Sequence, residues 1–126
     1  MSKKLLICDD EPYIRMLLEQ SLEDLEDEGV ELFIAKNGEE GLNIILEESP
    51  NLVFLDVMMP KMSGFEVCEK VKKELKLDVH IVLLTAKGQE VDRERGLSYG
   101  ADAYFTKPFD PDSLFDYACE ILDVDL

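Results

Sequence analysis

The sequence predicts an α/β domain of the (βα)5 kind: a doubly wound, five-stranded parallel sheet with helices on both faces. Three observations predict it. Five short apolar runs recur along the 126 residues. The first four are continuous rather than alternating, as in strands buried on both faces. Segments of helical period separate the runs and are long enough to serve as crossovers, which makes the strands parallel.

The elements follow in order. Leu5-Leu6-Ile7-Cys8 is the first strand. Pro12 suits the first turn of a helix that carries Ile14, Leu17, Leu18, Leu22 and Leu25 on one face. Leu32-Phe33-Ile34-Ala35 is the second strand; after the turn at Lys36-Asn37-Gly38 comes a helix with Leu42, Ile45 and Leu46 inward. Leu52-Val53-Phe54-Leu55 is the third strand, followed by a helix aligning Phe65, Cys68, Val71 and Leu75. Ile81-Val82-Leu83-Leu84 is the fourth. The stretch Gly88–Ser98 has only Val91 and Leu97 clearly apolar, and reads as a weakly anchored helix open to remodelling. Ala103-Tyr104-Phe105 is the fifth strand. Asp110-Pro111-Asp112 then opens a helix with Leu114, Ala118, Ile121 and Leu122 inward. There is no linker, low-complexity stretch or repeat beyond the βα unit. Residues 1–126 read as a single domain, with nothing left in this sequence for an attached output domain.

Charge narrows the function. Thirteen Lys+Arg against 29 Asp+Glu give a net charge of −16, and 46% of the residues are hydrophobic. So acidic a domain repels nucleic-acid backbones and anionic membranes. Lys70, Lys72, Lys73 and Lys76 are interleaved with Glu69 and Glu74 and read as a solvated helix face. Cys8, Cys68 and Cys119 are scattered and odd in number, and the one histidine, His80, cannot complete a zinc set. Free thiols in a reducing compartment follow. The apolar runs fall far short of the roughly 20 residues of a membrane span, so the expected location is the cytoplasm.

The residues just past each strand carry the chemistry. They are Asp9, Asp10 and Glu11 after the first, Asp56 after the third, Thr85 and Ala86 after the fourth, and Thr106, Lys107 and Pro108 after the fifth. Each has a plain alternative: Asp10 as a helix cap, Asp56 as a turn former, Thr85 as an N-cap, Lys107 as a solvated lysine. Their conjunction at one sheet edge points to a site, because open parallel sheets bind ligands at the carboxyl ends of their strands. Converging carboxylates repel unless protonated or neutralised by a hard cation. Asp10 and Asp56 suit direct ligation of Mg²⁺ (or Mn²⁺), with Asp9 direct or through water and the Met58 carbonyl as a further oxygen. Lys107 adds a positive point charge and Thr85 a hydroxyl. The set suits a phosphoryl group, with Asp56 as nucleophile and the N–H groups of Val57 and Ala86 facing its oxygens. The small Ala86 leaves the pocket open.

The pair Asp9-Asp10, the run Asp56-Val57-Met58-Met59-Pro60-Lys61-Met62-Ser63-Gly64, Thr85-Ala86 and Lys107-Pro108 together resemble the receiver domain of two-component response regulators, over essentially the whole chain. The resemblance implies a flavodoxin-like fold with strand order 2-1-3-4-5. It implies a switch phosphorylated on Asp56 by a histidine kinase or phosphotransfer protein, and a cis Lys107–Pro108 bond. It implies that phosphorylation draws Thr85 inward, that Tyr104 turns into the vacated room, and that the fourth helix, fifth strand and fifth helix form the output face. Without the resemblance, Tyr104 reads equally well as a half-buried strand aromatic.

The sequence also departs from the family pattern. Residues 108–126 carry six acids and no base, so a dimer built on basic–acidic pairs at the fifth helix lacks its basic half, and a monomer is expected. Met58 and Lys87 stand where an amide or acid would orient an attacking water, so slow self-dephosphorylation is expected. Three other readings are weaker. A haloacid dehalogenase-type phosphatase needs an acid where Met58 stands. A flavodoxin-like cofactor carrier needs a phosphate loop where Asp9-Asp10-Glu11 stands. A receiver-like interaction module that is never phosphorylated has no use for the intact acid set. Asp123-Val124-Asp125-Leu126 is compatible with a free-standing regulator and with a domain of a longer protein.

Overall fold

The computed structural model describes residues 3–86 and 90–124. Lys87, the start of the weak helix at Gly88 and the terminal Asp125-Leu126 lie outside them, as does the side chain of Val91. Five strands, β1 (Lys4–Cys8), β2 (Glu31–Ala35), β3 (Leu52–Asp56), β4 (His80–Ala86) and β5 (Ala103–Lys107), alternate with α1 (Pro12–Leu22), α2 (Gly38–Glu48), α3 (Gly64–Glu69), α4 (Glu90–Ser98) and α5 (Pro111–Leu122). All pairings are parallel and the sheet order is β2-β1-β3-β4-β5, as expected.

The continuous apolar runs now have their reason. Successive strand residues point to opposite faces. Leu5, Ile7, Leu52, Phe54, Val82 and Leu84 pack with Leu18, Leu22, Leu114 and Ala118, which places α1 and α5 on that face. Leu6, Cys8, Val53, Leu55, Ile81 and Leu83 pack with Leu42, Ile45, Phe65 and Cys68 on the other. Both faces being covered, the central strands are apolar through their middles: Leu52–Leu55 in β3 and Ile81–Leu84 in β4 are all buried.

Local chemistry sets the helix ends. Pro12 and Pro111 occupy first-turn positions. Asn37 and Asp110 side chains accept hydrogen bonds from the N–H groups of Glu40 and Ser113. Ser63 and Glu66 form a reciprocal capping box at the start of α3.

Three apolar positions depart from the helical pattern. The first helix ends at Leu22, and buried Leu25 sits in a following 3₁₀ segment, Glu23–Glu28, closed by Gly29 at φ 87°. Leu46 is half exposed, one residue round the helix from Ile45, which is fully buried. Leu75 is also exposed. The chain widens into a π turn over Lys70–Glu74, with the Leu75 N–H donating to the Lys70 carbonyl. The extra residue per turn rotates Leu75 off the buried face after Val71.

Candidate functional site

The carboxyl ends of β1, β3, β4 and β5 bring the chemistry-bearing residues together beside a cleft of about 510 Å³. Asp9 and Asp56 are buried there, at 0% and 4% exposure. The Lys107 ammonium lies between them, 2.9 Å from Asp9 Oδ2 and 3.0 Å from Asp56 Oδ1, with Glu11 Oε1 at 3.9 Å. Lys107 reaches this position from the end of β5, before a cis Lys107–Pro108 peptide.

The end of β1 is fixed from several sides. The Asp9 N–H donates to the Ala35 carbonyl at 3.2 Å, and the Asp9 carbonyl accepts from the Arg15 guanidinium at 2.8 Å. Asp9 Oδ1 accepts from the Glu11 N–H at 2.9 Å. The end of β3 is held by a close approach. The Gly64 N–H donates to the Val57 carbonyl, and a side-chain carbon at Gly64 would lie 2.3 Å from the Asp56 carbonyl oxygen. Only glycine permits α3 to start that near the end of β3, where Asp56 sits.

Carboxylate oxygens of Asp9, Asp10, Glu11 and Asp56 come within 4.8 Å of one another. Asp9 Oδ2 touches the Lys107 ammonium but receives no well-directed hydrogen bond, although it is buried. An all-oxygen, anionic cluster with such an oxygen fits a hard divalent cation. Burial, then the Asp9 charge, pushes the Asp56 carboxyl up to about 7, against the charge and hydrogen bond of Lys107, which pull it down. Burial lowers the proton affinity of Lys107, but its close ion pair with Asp9 and its charge contact and hydrogen bond with Asp56 outweigh that and hold it above its usual value. The Cys8 thiol below is pushed up to about 12, by burial first and then by Asp9 and Asp56, so it is inert.

Thr85 is buried, and its hydroxyl donates to the Tyr104 hydroxyl at 2.8 Å. The sheet register makes the contact possible. Leu83 pairs with Tyr104 and Thr85 with Thr106, so Thr85 and Tyr104 are diagonal neighbours on one face. Tyr104 already packs against the core on the α2–α3 side of the sheet.

One backbone assignment is corrected. The Val57 N–H does not face the cleft; it donates to the Leu84 carbonyl at 3.1 Å, because β3–β4 pairing runs one residue past the strand end. The next N–H, that of Met58, has no acceptor among the described residues. The Met58 side chain lines the cleft and is 76% exposed. Sequence reasoning had passed over Glu11 as a ligand, and Phe65 and Arg95 as cleft residues. Glu11 was legible as the third acid of a run. Arg95 gives no signal in the sequence, because only the packing of α4 brings it to this edge.

A parallel sheet whose order reverses between β1 and β3, with an acidic cluster that could hold a cation and a lysine at that point, defines a doubly wound α/β protein with its candidate site at the switch point. Comparison with known proteins gives the family: the model of the response regulator receiver domain matches residues 5–118, and the chain belongs to that family. It is 49% identical over 112 residues to the "Probable transcriptional regulator ycf27" of Porphyra purpurea, covering 89% of this chain and 44% of that protein. It is 46% identical over 111 residues to the alkaline phosphatase synthesis transcriptional regulatory protein PhoP of Bacillus subtilis, covering 88% and 45%. The chain thus spans about half the length of these curated relatives. A CheY-like response regulator receiver domain protein of Methanospirillum hungatei is similar in structure at TM-score 0.85 and 35% identity, covering 98% of this chain and 95% of that one. No helix among the described residues is long and apolar enough to cross a membrane.

Proposed function

We propose that this receiver domain is a phosphorylation switch that takes a phosphoryl group on Asp56 from a histidine kinase or phosphotransfer protein. The observation that carries the reading is the Lys107 ammonium set between Asp56 and Asp9 beside an acidic, cation-fitting cluster. Asp10 and Asp56, with Asp9 direct or through water and the Met58 carbonyl, would hold Mg²⁺ or Mn²⁺. Bound there, the ion supplies positive charge to the phosphoryl oxygens.

The residues of the chain do the rest. An Asp56 carboxylate oxygen attacks phosphorus in line. The phosphorus–nitrogen bond of a phosphohistidine breaks, and its electron pair stays on the imidazole nitrogen, which takes up a proton. Lys107 neutralises charge on the transferring group. The N–H groups of Met58 and Ala86 donate to its oxygens, Met58 in place of Val57. The aspartyl phosphate is a covalent intermediate that the protein itself hydrolyses, and slowly, with Met58 and Lys87 where an amide or acid would orient the water.

The Thr85–Tyr104 bond supplies the switch. A phosphoryl oxygen competes with Tyr104 for the Thr85 hydroxyl, and an anionic acceptor makes the stronger hydrogen bond. Releasing Tyr104 shifts the population of conformations on the face of α4, β5 and α5. Against a phosphorylation-independent interaction module stand Asp56 and Lys107, which a passive module would not need to bury together. Cytoplasmic location, supported by the free thiols and short apolar runs, a monomeric state, supported by the all-acidic fifth helix, and the absence of direct nucleic-acid contact, supported by the charge of −16, belong to the same reading. So does residues 1–126 forming one domain.

Intact mass tests the proposal. Protein is incubated with phosphoramidate, with and without Mg²⁺, as wild type and as Asp56→Asn. One added phosphoryl group that requires both Mg²⁺ and Asp56 is expected, and it should outlast seconds after the donor is removed. An adduct indifferent to Asp56, or none at all, overturns it.

A further inference from the structure

The cleft holds more than a phosphoryl group needs, and its outer wall carries a second cation. Buried Asp56 and Thr85 form its floor, while exposed Met58 and Arg95 form its rim. The Arg95 guanidinium sits over an aromatic of α3: its central carbon is 4.5 Å from the centroid of the Phe65 ring and 5.9 Å from that of Tyr99. These rings pack on each other at 5.8 Å, so Arg95 rests on a fixed aromatic platform. Among the described residues no carboxylate pairs with it. Glu66, also on this wall, has its carboxylate turned to the Ser63 N–H at the start of its own helix. The guanidinium therefore faces the cleft with hydrogen-bond capacity to spare.

In-line transfer decides what such a rim group can meet. With Asp56 on the floor as nucleophile, the leaving group departs on the opposite side of phosphorus, toward the rim. A leaving group that gains negative charge there is stabilised by a cation, while one that leaves neutral is not.

We propose that Arg95 is a specificity-determining residue that favours small acyl phosphates as phosphodonors, by binding the carboxylate they release. The proposal rests on Asp56 being the phosphoacceptor. With acetyl phosphate, the Asp56–phosphorus bond forms and the phosphorus–oxygen bond to the acetyl group breaks. The electron pair departs on acetate, which the guanidinium receives. With phosphoramidate, the phosphorus–nitrogen bond breaks and neutral ammonia leaves from a protonated nitrogen, so Arg95 has no developing anion to hold.

The test compares the two donors on wild type, Arg95→Gln and Asp56→Asn. All are held at saturating Mg²⁺, with rates read by intact mass and folding checked by thermal melting. Arg95→Gln should slow acetyl phosphate about tenfold and phosphoramidate by no more than about twofold, the size of one lost charge-assisted hydrogen bond in the transition state. Added salt should shrink the preference of the wild type for acetyl phosphate and leave that of the variant unchanged. Equal slowing of both donors, or no slowing, overturns the role of Arg95 while leaving Asp56 as acceptor. Failure of both donors on wild type, or adducts that survive Asp56→Asn, overturns the phosphoacceptor reading itself.

Discussion

At Asp56 opposing effects meet within one side chain: burial and the Asp9 charge raise its proton affinity, and the Lys107 ammonium 3.0 Å away lowers it. The net result, about 7, lies above the 3.8 of a free aspartate. The folded chain therefore binds this proton more tightly than the unfolded one. The associated stability is fully present below the unfolded value and is lost as pH rises through about 7. In chelator, wild type should melt lower at pH 8 than at pH 5, and Asp56→Asn should melt about 5 °C or more above wild type at pH 8. Near pH 4 the gap should close, and Mg²⁺ should narrow it at pH 8 by stabilising wild type alone. Scanning calorimetry across pH checks this; a variant no more stable than wild type at pH 8 would refute it. Asp9, Asp10, Asp56, Thr85 and Lys107 were all legible, because a polar residue ending an apolar strand marks a sheet edge. Arg95 and the engaged Val57 N–H were not, since one depends on how α4 packs and the other on how far two strands stay paired.

Among the elements, α3 is the one the site depends on most directly. Its capping box and Gly64 place its first turn against the end of β3. Gly64→Ala would drive a methyl group to 2.3 Å from the Asp56 carbonyl oxygen, so backbone must shift. A destabilisation of about 2 kcal/mol or more is expected by urea unfolding, with Mg²⁺ affinity weakened as well. A variant with unchanged unfolding and metal binding would show that the loop yields freely. Helix α3 also shows where periodicity misleads. Phe65, Cys68 and Val71 are buried as their spacing predicts, but the π turn carries Leu75 out to solvent. A hydrophobic period assumes constant residues per turn, and nothing local in Lys70–Glu74 announces the change.

Across the whole molecule, the charge of −16 opposes self-association. Helix α5 carries Asp112, Asp116 and Glu120 and no basic residue, so two such faces repel. Sedimentation of the protein with and without phosphoramidate and Mg²⁺ should find a monomer in both cases; a tight dimer on phosphorylation would overturn this. The sequence by itself determined the parallel (βα)5 plan, both covered faces of the sheet and the strand-end residues of the site, because burial on two faces forces continuous apolar strands that end in polar groups. Only the tertiary structure decided the Lys107 bridge between Asp9 and Asp56, the Thr85–Tyr104 bond and the seat of Arg95 on Phe65. These join residues at least 19 positions apart in the chain, and such contacts depend on strand register and helix packing.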